Sequence, residues 1–134
     1  MRDEVFLIGR VLFSLVFIGS GLGHLTQTEG SAQYATFKKV PSPKLAVQVS
    51  GVLMVLGGLA VVVGVWMDLA GLCLAILVLI MAFVMHRFWE ETDAQTKQIE
   101  MAQFMKNVSI AGAGLMIAAV STYSAYTITD GVFT

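Results

Sequence analysis

The sequence predicts an all-α integral membrane protein, an antiparallel bundle of four membrane-spanning helices. Of its 134 residues, 57% are hydrophobic and only 13% are charged, whereas soluble domains carry about 25% charged residues. The mean hydropathy is +0.80. The apolar residues form four long runs, each close to the roughly 20 residues that a helix needs to cross a bilayer. Lipid is therefore the expected solvent for most of the chain.

The four runs set approximate helix bounds within one domain that covers residues 1–134. The predicted helices span residues 5–25, 45–66, 69–86 and 104–126. No stretch alternates over the roughly ten residues of a barrel strand, so helices are the structure that satisfies the backbone in lipid. The first run follows the mixed charges Arg2, Asp3 and Glu4 rather than a basic signal-peptide start, so we expect it to be retained.

The first long loop is predicted to hold a short helix on the membrane surface. Tyr34, Phe37 and Val40 recur at three-residue spacing beside basic residues, as in an interfacial helix. Pro41 and Pro43 end this helix, since proline is tolerated only at a helix start.

The other two connections differ in length. Trp66 to Asp68 predicts a tight hairpin, with Trp66 as an interfacial anchor. In the long acidic loop after the third helix, Thr92 and Gln95 resemble a capping box. The fourth helix is therefore expected to begin before the membrane.

Small residues mark positions of close helix packing. Gly19 and Gly23 form a G-x-x-x-G pattern in the first helix, and Gly114 with Ala118 forms a looser version in the fourth. Such spacing lets helix backbones approach in lipid. Homodimerisation is one interpretation, and packing within the bundle is the one favoured.

The distribution of cations predicts the orientation of the chain in a cell membrane. Cytoplasmic loops carry an excess of lysine and arginine. The two long loops should therefore be cytoplasmic and both termini outside. The cations near the loops are Lys38, Lys39, Lys44, Arg87, Lys97 and Lys106, and those near the termini are Arg2 and Arg10. Lys106 and Arg10 are expected to snorkel towards their interfaces.

Several classes of function are excluded by what the chain lacks. Scattered cations and a net charge of −1 argue against nucleic-acid binding. Cys73 is the only cysteine, so dithiol chemistry is absent. No nucleotide fingerprint or nucleophile elbow occurs, and no spacing predicts a metal site. All nine acidic residues are predicted at helix ends, turns or loops, which argues against a transporter with a buried carboxylate.

The antiparallel topology gathers polar residues that lie far apart in sequence. His24 and His86 end the first and third helices, while Lys106 and Asn107 open the fourth on the same side. Charged groups within a membrane tend to mark functional sites. The predicted site at this level consists of His24, His86, Arg87, Trp89, Lys106 and Asn107. We interpret it as a pocket for a quinone or a lipid headgroup, with hydrogen bonds to the ligand and stacking on Trp89.

Alternative interpretations of the same residues stay open. Each cation could be a snorkelled anchor, and each histidine a hydrogen-bonded packing residue. Haem with His24 and His86 as axial ligands is disfavoured, because the chain has only these two histidines and both lie at helix ends.

Three stretches of the chain resemble the DoxX family of small four-helix membrane proteins. The matching stretches are Arg10 with Ser20-Gly21-Leu22 and His24-Leu25; Val40-Pro41 with Ser50-Gly51-Val52-Leu53 and Leu56-Gly57-Gly58; and Met85-His86-Arg87-Phe88-Trp89 with Gln103-Phe104 and Lys106-Asn107. His24 departs from the lysine that many members have there, so a permanent positive charge at this position is not expected here.

The resemblance implies an accessory subunit or anchor of a membrane redox assembly near the quinone pool, in a bacterial inner membrane. The family is linked to thiosulfate:quinone oxidoreductase, and actinobacterial relatives to a complex that handles thiol and superoxide stress. Membrane lipids and other protein subunits are therefore the expected partners. A non-enzymatic structural subunit of a larger complex, or a protein that handles small solutes or lipids, are the alternatives.

Overall fold

The protein is an antiparallel bundle of four long helices, as its computed structural model describes it for residues 1–133. No strand occurs within that range. The long helices are α1 (Arg2–Thr26), α3 (Pro43–Val63), α4 (Met67–Met85) and α5 (Ala94–Val120), and the short α2 (Thr28–Phe37) follows α1. Single 3₁₀ turns occupy Phe88–Glu90 and Ser121–Tyr123. All four long helices are long and apolar enough to cross a membrane, which confirms the predicted fold class.

The fourth span differs most from its predicted bounds. Helix α5 begins at Ala94, ten residues before the predicted start, and its α-helical part ends at Val120. The cap is Asp93, one residue after the expected Thr92. The Asp93 carboxylate accepts hydrogen bonds from the backbone N–H and the hydroxyl of Thr96, both at 2.9 Å. These bonds lower the pKa of Asp93 below its usual range.

A left-handed turn produces the predicted hairpin between α3 and α4. Gly64 ends α3 with φ 79°, and Trp66 precedes α4 with φ 44°. A Cβ added at Gly64 would lie 2.6 Å from the Cα of Thr127. Glycine is therefore required here both by the backbone conformation and by the close approach of the chain's last residues.

Glycine pairs bring the helices into backbone contact. The most extensive packing joins α1 to α3 and α4 to α5. A Cβ added at Gly21 would lie 2.8 Å from the carbonyl oxygen of Gly51, and one added at Gly71 would lie 2.7 Å from that of Gly114. Because these positions lack a side chain, each pair of helices packs closely, as expected where packing drives association in lipid.

The two predicted small-residue patterns have different outcomes. Gly114 packs against Gly71 inside the bundle, as expected. For Gly19 and Gly23 the favoured interpretation is wrong, because a Cβ added at either would meet nothing within 4 Å. In α1, Gly21 is the glycine that packs on α3. Gly19 and Gly23, two residues away on either side, therefore face outward.

Helix α2 is the short helix predicted in the first loop, but it buries a different face. Ala32 and Ala35 are buried against Val47 of α3, whereas Phe37 is 75% exposed. The helix is therefore attached to the bundle through its alanines. Pro43 begins α3, as proline at the first helical position favours.

Arg10 lies inside the protein and does not snorkel. Its side chain is only 1% exposed. Nε donates to the carbonyl of Val61 at 2.8 Å, and a terminal nitrogen donates to that of Val62 at 2.7 Å. The other terminal nitrogen donates to the carbonyl of Tyr126 at 2.6 Å. The guanidinium thus satisfies carbonyls at the end of α3 that lack helical partners.

The segment 124–133 folds back across the α3–α4 hairpin. The buried carboxylate of Asp68 accepts hydrogen bonds from the backbone N–H groups of Val132 at 2.9 Å and Phe133 at 2.6 Å. The backbone N–H of Ile128 donates to the carbonyl of Gly64 at 2.9 Å. Arg10 and Asp68 therefore hold this segment at two points.

We predict that Arg10→Met lowers the free energy of unfolding by about 3 kcal/mol, because several charge-assisted hydrogen bonds are lost in a buried site. The segment 124–133 should also become sensitive to protease. Thermal unfolding in detergent and limited proteolysis with mass spectrometry measure the two effects. Arg2→Met, at an exposed arginine of the same helix, is the matched control. Equal stability of the two variants would contradict the assignment.

Candidate functional site

A cavity of about 490 Å³ opens at the end of the bundle where α1 and α4 finish. Its volume lies within the range of sites for small organic molecules. Most of its wall is apolar, from α2, α3 and α4. The residues with polar side chains that line it are His24, Gln27, Ser31, Tyr34, Ser50 and His86.

His24 lies in the last turn of α1 and is oriented by α3. Its Nδ1 is 3.0 Å from the hydroxyl oxygen of Ser50. That hydroxyl donates its own hydrogen to the carbonyl of Val47 at 3.0 Å. The Ser50 oxygen is thus left to accept a hydrogen bond from Nδ1–H, which fixes the ring.

His86 follows the end of α4 and is oriented by α5. Its Nδ1 is 3.2 Å from Oε2 of Glu100, a carboxylate that is only 9% exposed. The same oxygen accepts a hydrogen bond from Nζ of Lys38 at 3.3 Å. Lys38 is itself 7% exposed, and Glu91 approaches its Nζ at 3.8 Å from a more exposed side. One carboxylate oxygen therefore joins α5, the histidine and the end of α2.

The sequence interpretation missed Lys38 and Glu100 as parts of this site. The prediction that every acidic residue lies at a helix end, turn or loop is wrong for Glu100, which occupies the second turn of α5. The missed signal is the buried stripe of Glu100, Asn107, Gly114 and Ile117 along one face of α5. If the predicted fourth helix had begun after Asp93, this periodicity would have placed Glu100 on the buried face.

Tyr34 closes the cavity on the side of α2. Its ring lies 5.7 Å from Nζ of Lys38, close enough for a cation–π interaction. Burial, together with the negative charge of Glu100, raises the pKa of the Tyr34 phenol above its usual range. The phenol therefore keeps its proton at neutral pH.

Four of the six predicted site residues lie at the same end of the bundle but do not line the cavity. Arg87 donates to the carbonyl of Lys38 at 3.0 Å and so fixes the turn after α2. Trp89 is 48% exposed. Asn107 is buried on α5, and the exposed Lys106 donates to the side chain of Gln103.

Trp89 belongs to an aromatic cluster separate from the cavity lining. Its ring centroid lies 5.2 Å from that of Phe88, 5.8 Å from that of Phe104 and 6.2 Å from that of Phe83. The contacts with Phe88 and Phe104 are edge-on and the one with Phe83 is tilted, and together they join α4, the 3₁₀ turn and α5. The structure therefore brings together the two histidines of the predicted pocket, and gives Trp89 a packing role.

Metal-binding geometry is not found in the part of the chain that the structure describes. No group of three or more histidine, cysteine, aspartate or glutamate side chains converges there as a metal site would require.

Comparisons with known proteins agree with this architecture. The sequence matches the DoxX family over residues 5–87. It is 31% identical over 117 residues to the inner membrane protein YphA of Escherichia coli K12, covering 87% of this chain and 83% of that one. It is 30% identical over 128 residues to the inner membrane protein YqjF of the same organism, covering 96% and 92%. No solved structure matches. With its four membrane-spanning helices and these matches, the chain belongs to the DoxX family of integral membrane proteins.

Proposed function

We propose that this protein is an accessory subunit of a membrane redox assembly and binds a molecule of the quinone pool in the cavity between His24 and His86. The cavity carries this proposal. It combines a largely apolar wall with two imidazoles held by Ser50 and Glu100. Small-molecule sites typically have such apolar walls with a few fixed polar groups that orient the ligand.

The position of the cavity suits a lipid-soluble ligand. Both histidines lie at ends of membrane-spanning helices, so a headgroup bound between them would sit near the membrane surface. An isoprenoid tail could then lie along the apolar side chains of α4 that line the cavity, among them Leu77 and Ile80. This placement agrees with the redox association that resemblance to the family implies.

We predict that the purified protein binds short-chain members of the quinone pool, decylubiquinone and decylubiquinol, and that His86→Ala weakens binding of the more tightly bound form about tenfold, because a hydrogen bond in a buried site is lost. Titration calorimetry in detergent measures both affinities. Lys106→Gln is the matched control, since Lys106 is exposed and does not line the cavity. Equal weakening by the two variants would contradict the assignment of the cavity, and absence of binding would contradict the proposed ligand.

A structural subunit is the second candidate, and the outward face of α1 favours it. Gly19 and Gly23 leave open space that the bundle itself does not fill. A helix of another subunit could approach the α1 backbone there. Under this alternative, the protein completes an assembly without binding a quinone.

We predict that other subunits of an oxidoreductase co-purify with the protein in mild detergent. Mass spectrometry of the material that co-elutes identifies them. Gly19→Leu should release them if the outward face of α1 is the contact, while Gly112→Leu should not. Position 112 is the matched control because its added Cβ also meets nothing within 4 Å, but it lies on α5. A chain that always purifies alone would contradict the role of subunit.

The location that we propose is an inner membrane, as the names of both relatives indicate for those proteins. The end of the bundle that carries the cavity also carries the exposed cations Lys39, Lys44, Lys97 and Lys106. We therefore propose that this end faces the cytoplasm and that both termini face outward.

Cysteine labelling checks this orientation. In a Cys73→Ser background, a membrane-impermeant maleimide added to intact cells with a permeable outer membrane should label Arg2→Cys and spare Lys97→Cys. Both replaced side chains are exposed, so access depends on the side of the membrane. Disruption of the cells should make Lys97→Cys reactive and serves as the control. The reverse pattern would overturn the orientation.

A further inference from the structure

The hydrogen bonds around the two histidines fix which ring nitrogen carries the proton. The Ser50 hydroxyl donates its hydrogen to the carbonyl of Val47, so the hydroxyl oxygen accepts a hydrogen bond from Nδ1–H of His24. The Glu100 carboxylate has no hydrogen to donate and accepts from His86. Both rings therefore carry a proton on Nδ1. In a neutral imidazole the other nitrogen, Nε2, is then a bare acceptor.

Both Nε2 atoms are available to a ligand. The side-chain hydrogen bonds of both rings within residues 1–133 are made by Nδ1, and neither Nε2 is among the enclosed side-chain atoms of that range that lack a partner. Both rings line the same cavity. The cavity is thus lined by two imidazoles whose Nδ1 atoms are already bonded, which leaves Nε2 of each ring as the nitrogen that a ligand could contact.

His86 shares its carboxylate partner with a lysine. Nδ1 of His86 and Nζ of Lys38 share the single oxygen Oε2 of Glu100. Glu91 contacts Lys38 only from the more exposed side, at 3.8 Å. Among the residues that the structure describes, His24 has no acidic hydrogen-bond partner, and its Nδ1 faces the neutral hydroxyl of Ser50.

We propose that the cavity selects the reduced member of the quinone pool, a hydroquinone whose two hydroxyl groups donate to Nε2 of His24 and of His86. This inference rests on the proposed function and adds the redox form of the ligand. A quinone has only carbonyl acceptors, which would meet the lone pairs of both Nε2 atoms. The other polar groups of the wall, on Gln27, Ser31 and Tyr34, can both donate and accept, so they do not oppose this selection.

Glu100 acts in this proposal as a positioning residue. It contacts His86 from the side away from the ligand, and what it supplies is an acceptor at Oε2 rather than a charge. A glutamine at this position can place its carbonyl oxygen where Oε2 lies and accept from both Lys38 and His86. A methionine cannot.

Affinity for the two redox forms tests the inference. The protein, purified anaerobically in detergent, should bind decylubiquinol about tenfold more tightly than decylubiquinone, as two hydrogen bonds of ordinary net strength imply. The dimethyl ether of the same quinol, which keeps the ring and tail but cannot donate, should bind no better than the quinone. Equal or tighter binding of the quinone overturns the inference and leaves the proposed function intact. Binding of neither form overturns both.

Nitrogen NMR of the histidines tests the tautomers independently of any ligand. The chain has two histidines, so ¹⁵N labelling of this residue type gives one pair of ring signals from each, assigned with His24→Gln. Both rings should show a protonated Nδ1 and a bare Nε2. A protonated Nε2 on either ring overturns the inference.

Variants of Glu100 separate positioning from stability. Glu100→Gln should keep the Nδ1-protonated tautomer of His86 and the preference for quinol. The double variant Lys38→Met with Glu100→Met, which leaves no unpaired buried charge, should lose the tautomer of His86 and most of the preference. Unchanged His24 signals show that the double variant is folded. Retention of the preference by a folded double variant, or its loss in Glu100→Gln, would overturn the role given to Glu100.

Discussion

The constraint on which this structure depends is that polar groups placed in a bilayer need partners within the protein. Unsatisfied backbone groups cost several kcal/mol in hydrocarbon, and helix ends are where such groups arise. This protein meets the requirement differently at the two ends of its bundle. At the end with the termini, Arg10 and Asp68 bind backbone groups of α3, α4 and the segment 124–133. At the other end, Glu100 accepts hydrogen bonds from both Lys38 and His86.

The two buried clusters have different consequences. Arg10 is surrounded by carbonyl oxygens that it satisfies directly, so its end of the bundle is closed and structural. The Lys38–Glu100 pair holds a histidine whose second nitrogen stays unused, beside an open cavity. A ring whose Nδ1 is already bonded is suited to binding, because its remaining nitrogen is oriented before the ligand arrives.

Close packing explains how so small a chain keeps this geometry. The contacts Gly21–Gly51 and Gly71–Gly114 fix α1 against α3 and α4 against α5 at backbone distance. Helix α2 is then held on α3 by Ala32 and Ala35, which brings Lys38 to the end of α4. The cavity lies where α2 packs against the end of the bundle. Its polar groups come from four different helices or their ends.

The sequence by itself determined that lipid surrounds most of the chain, how many times the chain spans the membrane, the antiparallel order of the spans and the family. Each of these depends on long apolar runs or on motifs that are local in the chain. It also determined that His24 and His86 share one end of the bundle. Only the tertiary structure decided which polar residues meet. The rotation of α1 about its axis decides whether Arg10 snorkels or is enclosed. The exact start and rotation of α5 decide whether Glu100 belongs to a loop or pairs with Lys38. A turn of a helix by one residue moves a side chain by about 100° around the axis, a change that composition and hydropathy do not register.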